Sequence, residues 1–442
     1  MDDHRVFRSR RVMLPLATTP ASQPASDAGH AADVVVRDGN IVDVVDYGTA
    51  SGELIDVDDR WLLPGLVDTH VHINEPGRTQ WEGFATATRA AKSGGFTTLV
   101  DMPLNSSPVT ISPDALQSKR AAAEGQCHVD VAAHAGLVPE SADSIQDVIA
   151  AGAVAAKAFL CPSGIDEFPH VQREHLKRGM DQLARIDKPL LAHAEIASPI
   201  APMTDPTSYQ QYLRSRPDQW EASAIAMLID LSRQTGCSVH IVHLASAACL
   251  PMIREAREDK LPVTVETCPH YLCLDAESIP DGATQFKCAP PIRSRDNQDA
   301  LWNALQSGDI DMIVSDHSPC PPDMKHLDSG RFDLAWGGIA SLQIGLPLIW
   351  TAAQSRRIPF QRVVDWMSTF PAALVGLPSG IRKGNPAHLL VFDDQATWKI
   401  DQTKLHHRHA ITPYHGHEVI GRVEATYVHG VDHEVPQGRF LS

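Results

Sequence analysis

The chain has 442 residues, 43% of them apolar and 21% charged, with 38 Lys and Arg against 54 Asp and Glu for a formal charge of −16. Such a length accommodates a barrel-sized core plus a satellite domain, and the apolar and charged shares are ordinary for a globular protein. The acidic balance argues against a nucleic-acid-binding surface, which needs clustered cations, and no apolar run of about 18 residues is present to span a membrane.

The opening MDDHRVFRSRRVMLPL carries arginines but too brief an apolar stretch for a signal peptide, so a cytoplasmic location is expected. Up to about residue 60 the chain reads as short strands. AADVVVRDGNIVDVVDYG alternates apolar positions around Asp-Gly, which is a hairpin signal. From GLVDTHVH onward the pattern changes to apolar, β-rich runs, each followed by a longer helical stretch. The runs are GLVDTHVH, FTTLVDMP, HVDVAAHAG, VAAKAFL, PLLAHAE, SVHIVHLAS, PVTVETCPH and DMIVSDHSP. Eight βα units over roughly 300 residues predict a (β/α)8 barrel. After the first run, Thr79 and Glu82 stand at capping-box spacing and Gly94-Gly95 closes the amphipathic stretch, predicting a helix between them. CPPDMKHLDSG reads as an ordered cover over a site. HLLVFDDQ and EVIGRVEATYVHG return to strand character, and the two terminal sets are expected to pair. The predicted division is a small β domain from 1–61 and 380–442, with the barrel at 62–379.

The eight cysteines are scattered without CxxC pairs, and most read as small buried hydrophobes in a reducing compartment.

In a parallel barrel the C-terminal ends of the strands face one mouth. Here those ends carry His70, His72, Lys157, His193, His243 and Asp316. His70 and His72 are two apart, so on a strand both imidazoles project from one face and can bind one cation; alone, such a pair also suits satisfied structural histidines. A lysine within GAVAAKAFL would bury a charge at a cost of several kcal/mol. Carbamylation by carbon dioxide would turn Lys157 into a carboxylate-like bridge between two divalent cations; otherwise it snorkels to solvent or pairs with an acid. Asp316 can bind a metal weakly through one oxygen and accept a proton on the other, or cap a helix through SDHS.

DTHVHINEPGR, GGFTTLVDMPLN, KAFLCPSGIDEFP, AHAE, HIVHLASA, VETCPHYL, FKCAPPIR and SDHSPC, with LHHRHAITPYHG and GNPAHLLVFD, resemble the cyclic amidohydrolases of the amidohydrolase superfamily, and within them the allantoinases. The resemblance runs from about residue 33 to residue 432. It implies an α/β architecture, a distorted (β/α)8 TIM barrel beside a small β-sandwich built from both termini. It further implies a dinuclear centre, zinc by default, although cobalt, iron or manganese suit the same donors. Position by position, His70, His72 and Asp316 match the ligands of the more buried metal, His193 and His243 those of the second, and Lys157 the N6-carboxylated bridge. The resemblance implies a homotetramer and, as substrate, allantoin, whose hydantoin ring would open to allantoate by attack of a metal-bridging hydroxide. Asp316 would take the hydroxide proton and pass it to the departing nitrogen.

Substrate contacts are expected from Asn105, from backbone around Cys288 to Pro290, and from the Ser318 hydroxyl; Asn105 also suits a turn. Cys288 has no identifiable base beside it and is not read as a nucleophile. Dihydroorotases generally carry an arginine for the substrate carboxylate where this chain has Asn74. Hydantoinases and dihydropyrimidinases share the ligand set, and they and the dihydroorotases are the alternative activities. A metal-free scaffold, the alternative of another class, would be expected to have lost ligands, and here the set is complete. Pro386-Ala387-His388 stands where relatives often read Asp-Ala-Asp.

Overall fold

The computed structural model describes residues 4–15 and 29–441. The first three residues, Leu16 and the last residue, which entered the reading of the amino terminus and the terminal segments, lie outside the described residues, as do residues 17–28.

The amino-terminal part supplies β1 (Arg5–Val12), β2 (His30–Arg37), β3 (Asn40–Asp46), β4 (Glu53–Asp56) and β5 (Trp61–Pro64). The barrel supplies β6 (Leu66–Val71), β7 (Phe96–Asp101), β8 (Asp130–Ala133), β9 (Ala135–Gly136), β10 (Ala156–Phe159), β11 (Leu190–His193), β12 (Val239–Ile241), β13 (Val263–Thr267) and β14 (Met312–Ile313). The chain returns through β15 (Leu389–Lys399) and β16 (Glu418–Tyr427).

The terminal strands form one seven-stranded, sandwich-like sheet in the order β16-β15-β5-β1-β2-β3, with β4 also on β1. Pairing of β15 with β5 joins the two ends of the chain, as their shared strand character predicts. The hairpin between β2 and β3 turns at Asp38 and Gly39, whose φ values of 49° and 77° fit a tight turn with both central residues left-handed. Phe7, Val34, Leu62 and Leu389 pack in a small core of its own.

Each predicted barrel run contains strand. β6 to β8 pair in parallel, as do β9 to β14, and β8 and β9 are one strand kinked at His134, whose amide donates to the Asp101 carbonyl at 3.0 Å. The ring closes where the His72 amide donates to the His317 carbonyl at 2.9 Å, beside a parallel bridge between Val71 and His317. Asp68 clamps that seam: one carboxylate oxygen accepts from the His70 amide and the other from the Ser315 amide, both at 3.0 Å. The strands of the β10–β12 wall are buried throughout, as expected of a sheet covered on both faces.

The helix after β6 spans Phe84–Ser93 and starts later than the capping-box spacing predicts. Its N-cap is Gly83, and the Phe84 amide donates to Glu75 Oε2 at 2.8 Å. Glu82 instead turns inward to His317 Nε2 at 3.3 Å, so tertiary pairing overrides the local motif. Gly94 ends the helix as predicted. Among the described residues no helix is long and apolar enough to cross a membrane. All eight cysteines are unpaired, and seven are buried.

Candidate active site

The strand ends converge on a cavity of about 690 Å³ lined by His70, His72, His193, His243 and Asp316. His70 Nε2 and His72 Nε2 lie 3.4 and 3.5 Å from Asp316 Oδ1, a spacing that can hold a cation. His193 Nδ1 faces His243 Nε2 at 3.0 Å, and the His70 and His243 rings are 5.2 Å apart, so the four imidazoles form one continuous group.

Lys157 is wholly buried among them. Its Nζ has no hydrogen-bond partner and sits 5.1 Å from the centre of the Phe159 ring, which stacks on His193 at 4.5 Å. Burial pushes this lysine down to about 8, although Glu266 and Asp316 pull the other way. It neither snorkels to solvent nor pairs with an acid. Burial, and then the charge of Lys157, holds His70 well below its ordinary value; burial, His193 and Lys157 do the same to His243. The rings are therefore neutral, the form in which imidazole binds metals.

Left-handed backbone recurs at these positions. Asn74, Asn105, His243 and Asp316 have φ of 66°, 66°, 38° and 44°, the left-handed region that side chains other than glycine visit rarely. Asp316 caps no helix: the next helical turn is Pro322–Lys325, preceded by Pro321.

The expected substrate contacts divide. Asn105 lines the cavity, has a left-handed backbone and places Nδ2 3.3 Å from His72 Nδ1. Cys288 and Ser318 line the cavity, whereas Pro290 does not; its carbonyl accepts from the Tyr271 hydroxyl at 2.8 Å. Burial raises the Cys288 thiol to about 12, which leaves no thiolate for attack. Asn74 lies off the cavity wall, its Nδ2 3.5 Å from the Pro319 carbonyl.

The segment read as a cover does cover the site. Met324, His326 and Trp336 line the cavity, and buried Lys325 fastens the segment by donating to the Trp336 carbonyl at 3.0 Å and to the Gly338 carbonyl. Gly338 has φ 149° and lies against Ser318, where an added Cβ would fall 2.2 Å from the Ser318 carbonyl oxygen.

The profile described as "Amidohydrolase family" matches residues 61–431. The chain belongs to the amidohydrolase family. An allantoinase of Streptomyces avermitilis is 44% identical over 451 residues, covering 100% of this chain and 99% of its own. A mitochondrial allantoinase of Aquarana catesbeiana is 47% identical, covering 84% of this chain and 76% of its own. Among solved structures, the L-hydantoinase (dihydropyrimidinase) from Arthrobacter aurescens superposes with a TM-score of 0.89 at 26% identity, covering 100% of both chains.

As an amidohydrolase this chain has two buried carboxylates that strand-end reading alone misses. Glu266 Oε1 lies 2.5 Å from His70 Nδ1, and Oε2 lies 2.9 Å from His240 Nε2, which leaves His70 Nε2 to face Asp316. Glu195 Oε2 lies 2.7 Å from His193 Nε2 and is paired with Arg216. Burial would raise the Glu195 carboxyl, but Arg216 and His193 outweigh it and hold it at about 2. The signal for Glu195 lies in AHAE, where the acid stands two residues past His193, in a tight turn just beyond the end of β11 whose Glu195 amide donates to the His193 carbonyl at 3.2 Å.

Proposed function

We propose that this protein is an allantoinase, hydrolysing the ring amide of allantoin to give allantoate. The observation that carries the reading is the meeting of four imidazoles and Asp316 around a buried lysine with no partner, at the mouth of an amidohydrolase barrel. Full-length likeness to an allantoinase supports the substrate.

The residues fit a pair of divalent ions. A buried amine without a partner is otherwise costly, and a lysine lowered to about 8 keeps a neutral fraction able to take up carbon dioxide. His70, His72 and Asp316 would hold one ion, His193 and His243 the other, and N6-carboxylated Lys157 would join them. When bound, such a pair polarises the ring carbonyl and activates water near neutral pH. Asp316 holds the proton of the attacking water and delivers it to the departing ring nitrogen. Glu266 and Glu195 fix the ring faces of His70 and His193. Asn105, the Ser318 hydroxyl and backbone at Cys288 position the neutral ring, with no arginine at Asn74 to demand a carboxylate. Zinc suits the donors, and a cytoplasmic homotetramer completes the reading.

Hydantoinase or dihydropyrimidinase activity is the second reading, favoured by the superposition on the Arthrobacter enzyme. One preparation assayed with allantoin, hydantoin, dihydrouracil and dihydroorotate, with bound metal quantified, tests both. The highest kcat/KM is expected for allantoin; turnover of dihydrouracil without turnover of allantoin would overturn the assignment.

A further inference from the structure

A second group of histidines and an aspartate sits far from the mouth. Asp130 opens β8, whereas the site residues close their strands, so this cluster lies at the opposite end of the barrel. His388 immediately precedes β15 and His429 follows β16, and both rings reach down from the small sheet to Asp130. We propose that Asp130, His388 and His429 form a second divalent-cation site that staples the small sheet to the floor of the barrel.

Three observations carry this. The first is spacing. His429 Nε2 and His388 Nε2 lie 3.0 and 3.4 Å from Asp130 Oδ2. Donors about 2.1 Å from one ion lie about 3.0 Å apart in octahedral and about 3.4 Å apart in tetrahedral coordination. All three donor atoms lie within 4.8 Å of one another, as do those of His70, His72 and Asp316.

The second is orientation. The other carboxylate oxygen, Asp130 Oδ1, accepts the Arg439 amide at 2.9 Å, and the neighbouring Val131 amide donates to the Arg439 carbonyl at 2.8 Å. Asp130 is thus held in place by the carboxy-terminal segment, with Oδ2 near both rings and Oδ1 also 3.3 Å from His429 Nε2, the kind of outer support that metal-binding carboxylates have. The His429 amide donates to His388 Nδ1 at a long 3.4 Å, a contact given up when Nδ1 takes the ring proton and Nε2 turns to a cation.

The third is backbone placement. His429 and Gly430 have φ of 51° and 73° at a tight turn between Val428 and Val431. Asn or Asp before glycine is the usual pair in such a turn; here histidine takes the first place, and the turn delivers its ring to Asp130. The His388 and His429 side chains are 14% and 19% exposed, so solvent reaches the cluster and can complete the shell. Two imidazoles and one carboxylate select zinc, nickel or cobalt over calcium or magnesium.

The site is independent of the allantoin reading. The test strips the purified full chain with a chelator, reloads it with excess zinc chloride, desalts it and counts zinc per chain. Wild type is expected to carry one zinc more than His429→Asn, a substitution that suits the turn, and one more than His388→Gln. Zinc should raise the Tm of wild type by several degrees more than that of either variant, with kcat/KM for ring opening unchanged in both. Equal zinc content in all three proteins would overturn the proposal and leave a hydrogen-bonded clasp. A zinc difference without allantoin turnover in any of them would keep this site and sink the substrate assignment.

Discussion

The barrel mouth and the small terminal sheet use similar polar side chains in opposite ways. In the sheet, buried charges are saturated. Asp33 accepts from Arg8 Nε and NH2 at 2.7 and 2.8 Å and from the Gly48 and Ala50 amides. Asp394 accepts from both Arg11 terminal nitrogens and from Trp61 Nε1. At the mouth, Lys157 Nζ, His243 Nδ1 and Asn105 Oδ1 are buried without a partner. Unmade hydrogen bonds of this kind cost about 1–3 kcal/mol each. A fold tolerates such a cluster where something else completes it, and the saturated sheet shows that this chain can satisfy buried charges where only stability is at stake.

The comparison predicts where substitution should cost activity and where it should cost stability. Lys157→Ala removes the partnerless amine, and kcat/KM should fall about a thousandfold with loss of bound metal. A short carboxylic acid added to the variant should restore part of both. Full metal loading with wild-type turnover would refute the bridge. Glu266→Gln leaves His70 in place but weakens the anchor on its Nδ1, so a 10- to 100-fold loss in metal affinity or activity is expected. Measured metal dissociation unchanged from wild type would show that Glu266 serves the barrel wall rather than the site.

The contrast also explains what could be read from the residues in order. Repeating βα periods reveal the barrel because each strand carries its own signal, and the site histidines are visible because each stands at a strand end. Glu266 is equally buried and equally close, yet its partners His70 and His240 lie on different strands, so its role emerges only when those strands are neighbours. Glu82 shows the reverse error: its spacing from Thr79 fits a cap, but His317, far away in the chain, takes the carboxylate. The cluster at Asp130 needs three distant segments to meet, and nothing local distinguishes any one of them. Pro386-Ala387-His388 stands out as a departure from the relatives, without indicating what its histidine would touch.

The smallest effect on turnover, and the sharpest check on the saturated side of the comparison, comes from Asp33→Ala. Asp33 is buried and Arg8 half-buried, so breaking the pair should lower the unfolding free energy while leaving kcat/KM intact. Acid supplies an independent measure of the same contact. Burial alone would raise the Asp33 carboxyl, but Arg8 and the Ala50 and Gly48 amides outweigh it and hold it below its ordinary value. A carboxyl lowered by folding stabilises the native state above its unfolded pKa, about 3.9, and that contribution drains away as pH falls through the folded value. The gap in unfolding free energy between wild type and Asp33→Ala, measured by denaturant titration, should therefore be constant above about pH 5 and shrink below about pH 4. A gap that stays flat into acid would mean that the lost stability comes from packing in the small core, and that saturation of this carboxylate contributes nothing of its own.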